Sequence, residues 1–113
     1  FGDNDTLSAV VSTVCGADLL IILSDIEGLY DADPRSNPDA KLIRTVTEIT
    51  SGMRAAAGGA GTAGGTGGMH TKLVAADIAM GAGIDMFIAS GEDPAIISSI
   101  LDGSAVGTFF GKL

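Results

Sequence analysis

Apolar residues recur at Leu7, Val10, Val11 and Val14, three and four positions apart, and this spacing predicts a helix over residues 5–16. Asn4 or Asp5 can cap its start by accepting bonds from the first free N–H groups, and Gly16 supplies a stop. Residues 19–23 form an unbroken aliphatic run between Asp18 and Ser24-Asp25, the mark of a strand buried on both faces of a parallel sheet. Residues 24–41, with Gly28, Asp33-Pro34 and Asn37-Pro38, read as loop. Alternation over 42–49 predicts a strand, and an Ala-rich stretch predicts a short helix over 51–57. Residues 58–68 hold seven glycines in eleven positions and must form a special loop. Helical spacing returns over 69–82, with Met69, Leu73, Ala76 and Met80 on one face. A second buried strand is expected over 84–89, a helix over 94–101 with Pro94 near its first turn, and a short strand over 106–110. Strands alternating with helices imply an α/β sandwich with a mostly parallel sheet.

Composition narrows the class of protein. A chain of 113 residues fits one domain or part of a larger one, and it opens on Phe1 rather than Met, so a fragment is expected. With 46% hydrophobic residues and a mean hydropathy of +0.43 it can fill a core, which excludes disorder as its main state. A formal net charge of −8 argues against nucleic acid or an anionic membrane as the main partner. The longest aliphatic run is far shorter than the roughly 18–20 residues that span a bilayer. One cysteine, Cys15, forms no internal disulfide, so a cytoplasmic location is expected, with Cys15 itself a small buried hydrophobe.

Three places could carry chemistry. In the stretch 58–72, glycines let backbone N–H groups approach an anion, and Lys72, the only Lys or Arg between Arg54 and Lys112, lies in the first turn of the following helix. A lone cation beside such a loop suits phosphate oxygens, and the residues alone leave this open against a solvated surface loop. Two motifs in the chain are decoys. Residues 59–64 match G-x-G-x-x-G but follow no strand, and Asp77, at the spacing of a ribose contact, falls inside a helix. Gly111-Lys112 has a P-loop look, but the spacing back to Gly107 is one residue short. The second place is residues 1–5, where three polar residues precede a helix that needs one cap. The third is Ser24-Asp25 with Tyr30, at the end of the first strand, where open α/β sheets bind ligands. A polar turn explains it as well. His70 has no second ligand nearby in sequence for a metal site.

Taken together, FGDND at 1–5, LSDxxGLYxxDPR at 23–35, GTGGMHTK at 65–72 and AGIDMFIASG at 82–91 closely resemble the glutamate 5-kinases of the amino acid kinase superfamily. The likeness runs over nearly the whole chain and is loosest at 26–27 and 50–64. The FGDND string favours this branch over acetylglutamate kinase, uridylate kinase and aspartokinase. The resemblance implies a three-layer α/β/α sandwich, of which residues 1–113 are the carboxy-terminal, nucleotide-binding half, with no second domain. It implies ATP-dependent phosphorylation of the side-chain carboxylate of L-glutamate to glutamyl 5-phosphate, the first step of proline biosynthesis, by a cytoplasmic homo-oligomer. Carried over by position, Asn4 contacts glutamate and Asp5 orients the catalytic lysines. Ser24, Asp25 and, less directly, Tyr30 line the nucleotide site. Thr66, Gly67, Gly68, Met69, His70, Thr71 and Lys72 wrap ATP, and Lys72 neutralises charge as the phosphoryl group moves. Mg2+ is held mainly by ATP phosphates, with no protein ligand. The isolated half is expected to be inactive and to leave a sheet edge open. The alternatives are a superfamily member with another acceptor, or a non-catalytic nucleotide-binding module.

Overall fold

The computed structural model describes residues 4–32, 37–56, 67–92 and 95–112. In chain order the elements are α1 (Asn4–Cys15), β1 (Leu19–Ser24), β2 (Thr45–Val46), α2 (Ser51–Ala56), α3 (Gly67–Gly81), β3 (Asp85–Ser90), α4 (Ile96–Asp102) and β4 (Thr108–Phe110). The strands form one sheet in the order β1-β3-β4-β2. β1 runs parallel to β3 and β2 parallel to β4, while β3 and β4 are antiparallel, so the sheet is mostly parallel, as the alternation of elements implied. Asp33-Pro34, Pro94, Thr66 and glycine-rich residues 58–65 lie outside the described residues.

Three helices end the same way. Gly16, Gly83 and Gly103 adopt φ of 68°, 76° and 86°, a conformation costly for any residue with a Cβ. At each, two N–H groups reach back to the last helical turn: Gly16 to Thr13 and Ala17 to Ser12, Gly83 to Met80 and Ile84 to Ala79, Gly103 to Ile100 and Ser104 to Ser99. After Gly16 and Gly83 the chain reverses directly into β1 and β3. The amino ends of α1 and α3 therefore lie beside the carboxyl ends of those strands.

The register puts Leu20 beside Met86 and Ile22 beside Ile88, with Phe110 beyond Met86. These side chains share one face because alternate residues point the same way. That face joins Ala9, Leu73, Ala75, Ala76 and Ala79 from α1 and α3 in the hydrophobic core. Small residues on both helices let them pack closely. Ser12, also buried, satisfies its hydroxyl within α1 by donating to Ser8 O at 2.7 Å.

Several expectations need correction. The stripe Leu7, Val10, Val11 and Val14 marks α1 correctly, but all four are exposed, Val14 at 82%, because α1 turns Ala9 and Ser12 toward the core instead. Cys15 is exposed rather than buried. β1 is not buried on both faces: among the described residues it buries Ile22 alone and leaves Leu23 half exposed, because alternate residues point away from the helix-covered face. The strand over 42–49 shrinks to Thr45–Val46, the only two residues that pair with the short β4. Residues 24–41, read as loop, close partly into an antiparallel arm: Tyr30 bridges Leu42, Ile43 N donates to Leu29 O, Asp31 N donates to Lys41 O, and Lys41 N donates to the Asp31 carboxylate at 2.8 Å. Among the described residues no helix is long and apolar enough to cross a membrane.

Two outcomes follow. Phe110, fully buried at the middle of the core face, should cost about 3–5 kcal/mol when changed to Ala, read by urea unfolding. At the end of α4, the Ser104 hydroxyl and then its backbone N–H donate to Asp102 and hold that carboxyl below its ordinary value of 3.8. A lowered folded value means the contribution is complete above pH 3.8 and is lost as pH falls through the folded value. Ser104→Ala should return Asp102 toward 3.8, read by NMR titration.

Candidate active site

The helix amino ends bring the first and second candidate places together. Asp5 stands in the first turn of α1, and its Oδ2 accepts from Lys72 Nζ at 3.1 Å and from Thr71 Oγ1 at 3.4 Å. The side chains of Lys72 and Asp5 are only 12% and 23% exposed, so each charge depends on the other for its lost hydration. Asp5 thus serves as an anchor for α3 rather than as a cap for α1. The pair spans 67 positions of sequence.

α3 begins at Gly67, two residues before the spacing of apolar residues predicts, so Lys72 lies in the second turn and not the first. Its side chain reaches back toward the helix start because Cα–Cβ bonds tilt that way. Gly67 and Gly68 form the first turn, whose N–H groups have no partner within the helix. Met69 is 7% exposed and packs in the core, so only its backbone can face a ligand. His70 and Thr71 are half-buried on the same turn. Thr66 falls outside the described residues, and of Asn4 only its place at the start of α1 is described. Among the described residues no cluster of three or more His, Cys, Asp or Glu could hold a metal ion.

The third candidate place shares this end of the sheet but stands on other elements. Ser24 closes β1, and its carbonyl accepts from Gly91 N at 2.9 Å, which holds the ends of β1 and β3 together. The Ser24 hydroxyl accepts from Ile26 N at 3.2 Å and donates to Asp25 Oδ1 at 3.3 Å, so it shapes the turn that follows. Asp25 is exposed, and Tyr30 is half-buried in the arm with Leu42.

Two features escaped the sequence. Arg54 of α2 and Asp77 of α3 form a two-bond fork, at 2.8 and 2.7 Å, that holds the guanidinium above its ordinary value chiefly through the side-chain hydrogen bond. Residues 23 apart across a glycine-rich segment carry no local signal of such a pair. Thr108, fully buried, links Leu29 to Ile43 through one hydroxyl. Alternation at Leu29-Tyr30 and Leu42-Ile43 was the available sign that these segments pair.

A sequence model of the amino acid kinase family matches residues 1–90. The chain belongs to that family. The glutamate 5-kinase of Clostridium perfringens is 58% identical over 110 residues, covering 97% of this chain and 41% of that protein. The glutamate 5-kinase of Shewanella sediminis is 56% identical over 112 residues, covering 99% of this chain and 30% of that protein. The chain therefore spans less than half the length of these curated relatives. Among solved structures, carbamate kinase from Giardia lamblia bound to AMP-PNP aligns with a TM-score of 0.73 at 23% identity, over 98% of this chain and 32% of that one. Uridylate kinase from Archaeoglobus fulgidus aligns at 0.68 and 24% identity, over 95% of this chain and 46% of that one. These two establish the shared fold, the α/β architecture of amino acid kinases.

Asp5→Asn, which leaves the part-buried Lys72 ammonium facing a neutral amide, should lower stability by about 1–3 kcal/mol in urea unfolding. Asp77→Asn, on the fork whose side chains are each 43% exposed, should cost less.

Proposed function

We propose that this chain is the carboxy-terminal, nucleotide-binding half of a glutamate 5-kinase, which transfers the γ-phosphoryl group of ATP to the side-chain carboxylate of L-glutamate in the cytoplasm, as the first step of proline biosynthesis. The observation that carries this reading is the Lys72–Asp5 pair, set where two helix amino ends meet two strand carboxyl ends. Relatives named glutamate 5-kinase, at 58% and 56% identity over nearly the full chain, support the choice of acceptor.

The step itself asks little covalent work of the protein. A glutamate carboxylate oxygen attacks the γ-phosphorus in line, the bond from phosphorus to the bridging oxygen breaks, and ADP leaves with the electron pair. Negative charge spreads over the transferred oxygens as this happens. Lys72 supplies a positive charge there, and Asp5 keeps the ammonium in place so that it need not reorganise. The backbone of Gly67 and Gly68, with no side chains in the way, offers N–H groups to the phosphates, and Thr66 to Thr71 complete the wrap. Ser24, Asp25 and Tyr30 border the nucleotide, and Asn4 contacts glutamate. Mg2+ would be held mainly by the ATP phosphates and would neutralise part of their charge, and no protein ligand is assigned to it. The remainder of the protein brings the rest of the glutamate site, and the full-length protein assembles from several copies.

In the full-length protein, Lys72→Ala should lower kcat by roughly 10²-fold or more, as expected on losing a charge at the transition state. A coupled ADP assay over a panel of acceptors provides the check. Turnover with acetylglutamate, aspartate or UMP but none with glutamate would overturn the acceptor. A Lys72→Ala protein that binds ATP more weakly, from a wild type that turns over no acceptor, would point to a nucleotide-binding module instead.

A further inference from the structure

Thr108 is the one polar side chain with 0% exposure among the described residues, and its position is unlike that of a core filler. It opens β4 opposite Ile88, two residues from the carboxyl end of β3, and so stands at the end of the sheet where Ser24 and Asp25 stand. Its hydroxyl makes two long-range bonds. It accepts from Leu29 N at 2.9 Å and donates to Ile43 O at 2.6 Å. Those backbone groups belong to the two sides of the arm that carries Tyr30 and that begins at the Ser24-Asp25 turn. Ile43 N also donates to Leu29 O at 2.8 Å, so one side chain and one backbone bond close the neck of the arm. Gly28 lies directly against the Thr108 hydroxyl; a Cβ there would collide with it and come within 3.2 Å of Leu42 Cδ1. The arm therefore seats on β4 in one position, fixed by a donor, an acceptor and a glycine, with no room to slide.

We infer that Thr108 is a positioning residue for the nucleotide: its hydroxyl fixes the two sides of the arm at Leu29 and Ile43 so that Ser24, Asp25 and Tyr30 hold the pose that accepts ATP. This rests on the reading of the chain as a nucleotide-binding half of a kinase. Thr108 touches no reacting atom, so its loss acts on nucleotide affinity and not on the chemical step. Valine has the shape of threonine without the hydroxyl, and it strands both backbone partners in a buried place.

The test uses the full-length protein. Thr108→Val should raise KM for ATP about tenfold, with kcat within about twofold and KM for glutamate unchanged, and a tenfold rise corresponds to about 1.4 kcal/mol. Thr108→Ser, which keeps the hydroxyl, should restore the wild-type KM. Direct calorimetric titration with ATP should show the same ratio between variants without any turnover. Thr108→Cys, similar in size with a weaker hydrogen-bonding sulfur, should fall between Ser and Val and serves if the Val protein does not fold. A lowered melting temperature with KM for ATP unchanged in both Val and Cys proteins would show a merely structural role and overturn the inference while the kinase reading stands. A wild-type protein that binds no ATP by calorimetry would overturn both.

Discussion

The close approach of α1 to α3 is the constraint from which the candidate site follows. Ala9 on one helix and Ala75, Ala76 and Ala79 on the other have no exposed surface, and Ser12 hides its hydroxyl by bonding within its own helix. Side chains this small allow two helices to lie near each other. Only then can the carboxylate at the start of α1 reach the lysine in the second turn of α3. The ion pair in turn fixes the two helix starts relative to one another, so packing of uncharged residues and pairing of charged ones support a single arrangement. A larger residue in the seam would part the helices and leave two half-buried charges without their mutual compensation.

Much of the fold could be read from the chain because its elements are strongly patterned. The aliphatic run at 19–23, the helical spacing through Met69, Leu73, Ala76 and Met80, and Gly16 each correspond to an element or boundary that is observed. Where the reading failed, tertiary context decided. Periodicity finds a helix but says nothing about which face meets the core, and in α1 the larger residues point outward while alanine and serine point in. Continuity of apolar residues suggests a strand covered on both faces, but among the described residues β1 buries only Ile22 and leaves Leu23 exposed. A strand as short as Thr45–Val46 carries too little alternation to locate.

The site divides in the same way. Lys72 was visible as an isolated cation after a run of glycines, and Asp5 as one polar residue more than a cap requires. That the two would meet needed the fold, since they are 67 positions apart. Motif resemblance supplied the reaction and the acceptor, which no spacing could have given. Thr108 and the Arg54–Asp77 fork were illegible because each joins distant segments through residue types that are common everywhere. Both work behind the residues that would face a ligand, one under the arm and one across the helices on either side of the glycine-rich segment.

The paired turns at Gly16 and Gly83 carry a consequence for evolution by insertion. Each leads from a left-handed glycine to the first strand residue with almost no slack, and together they set Leu19 against Asp85. One extra residue after Gly16 would slip β1 by a single position, and since side chains alternate, Ile22 would swing away from Ile88 while Leu23 turned inward. Ser24 would leave the sheet end as well. Length here is thus under a parity rule: such a connection can vary by two residues more readily than by one.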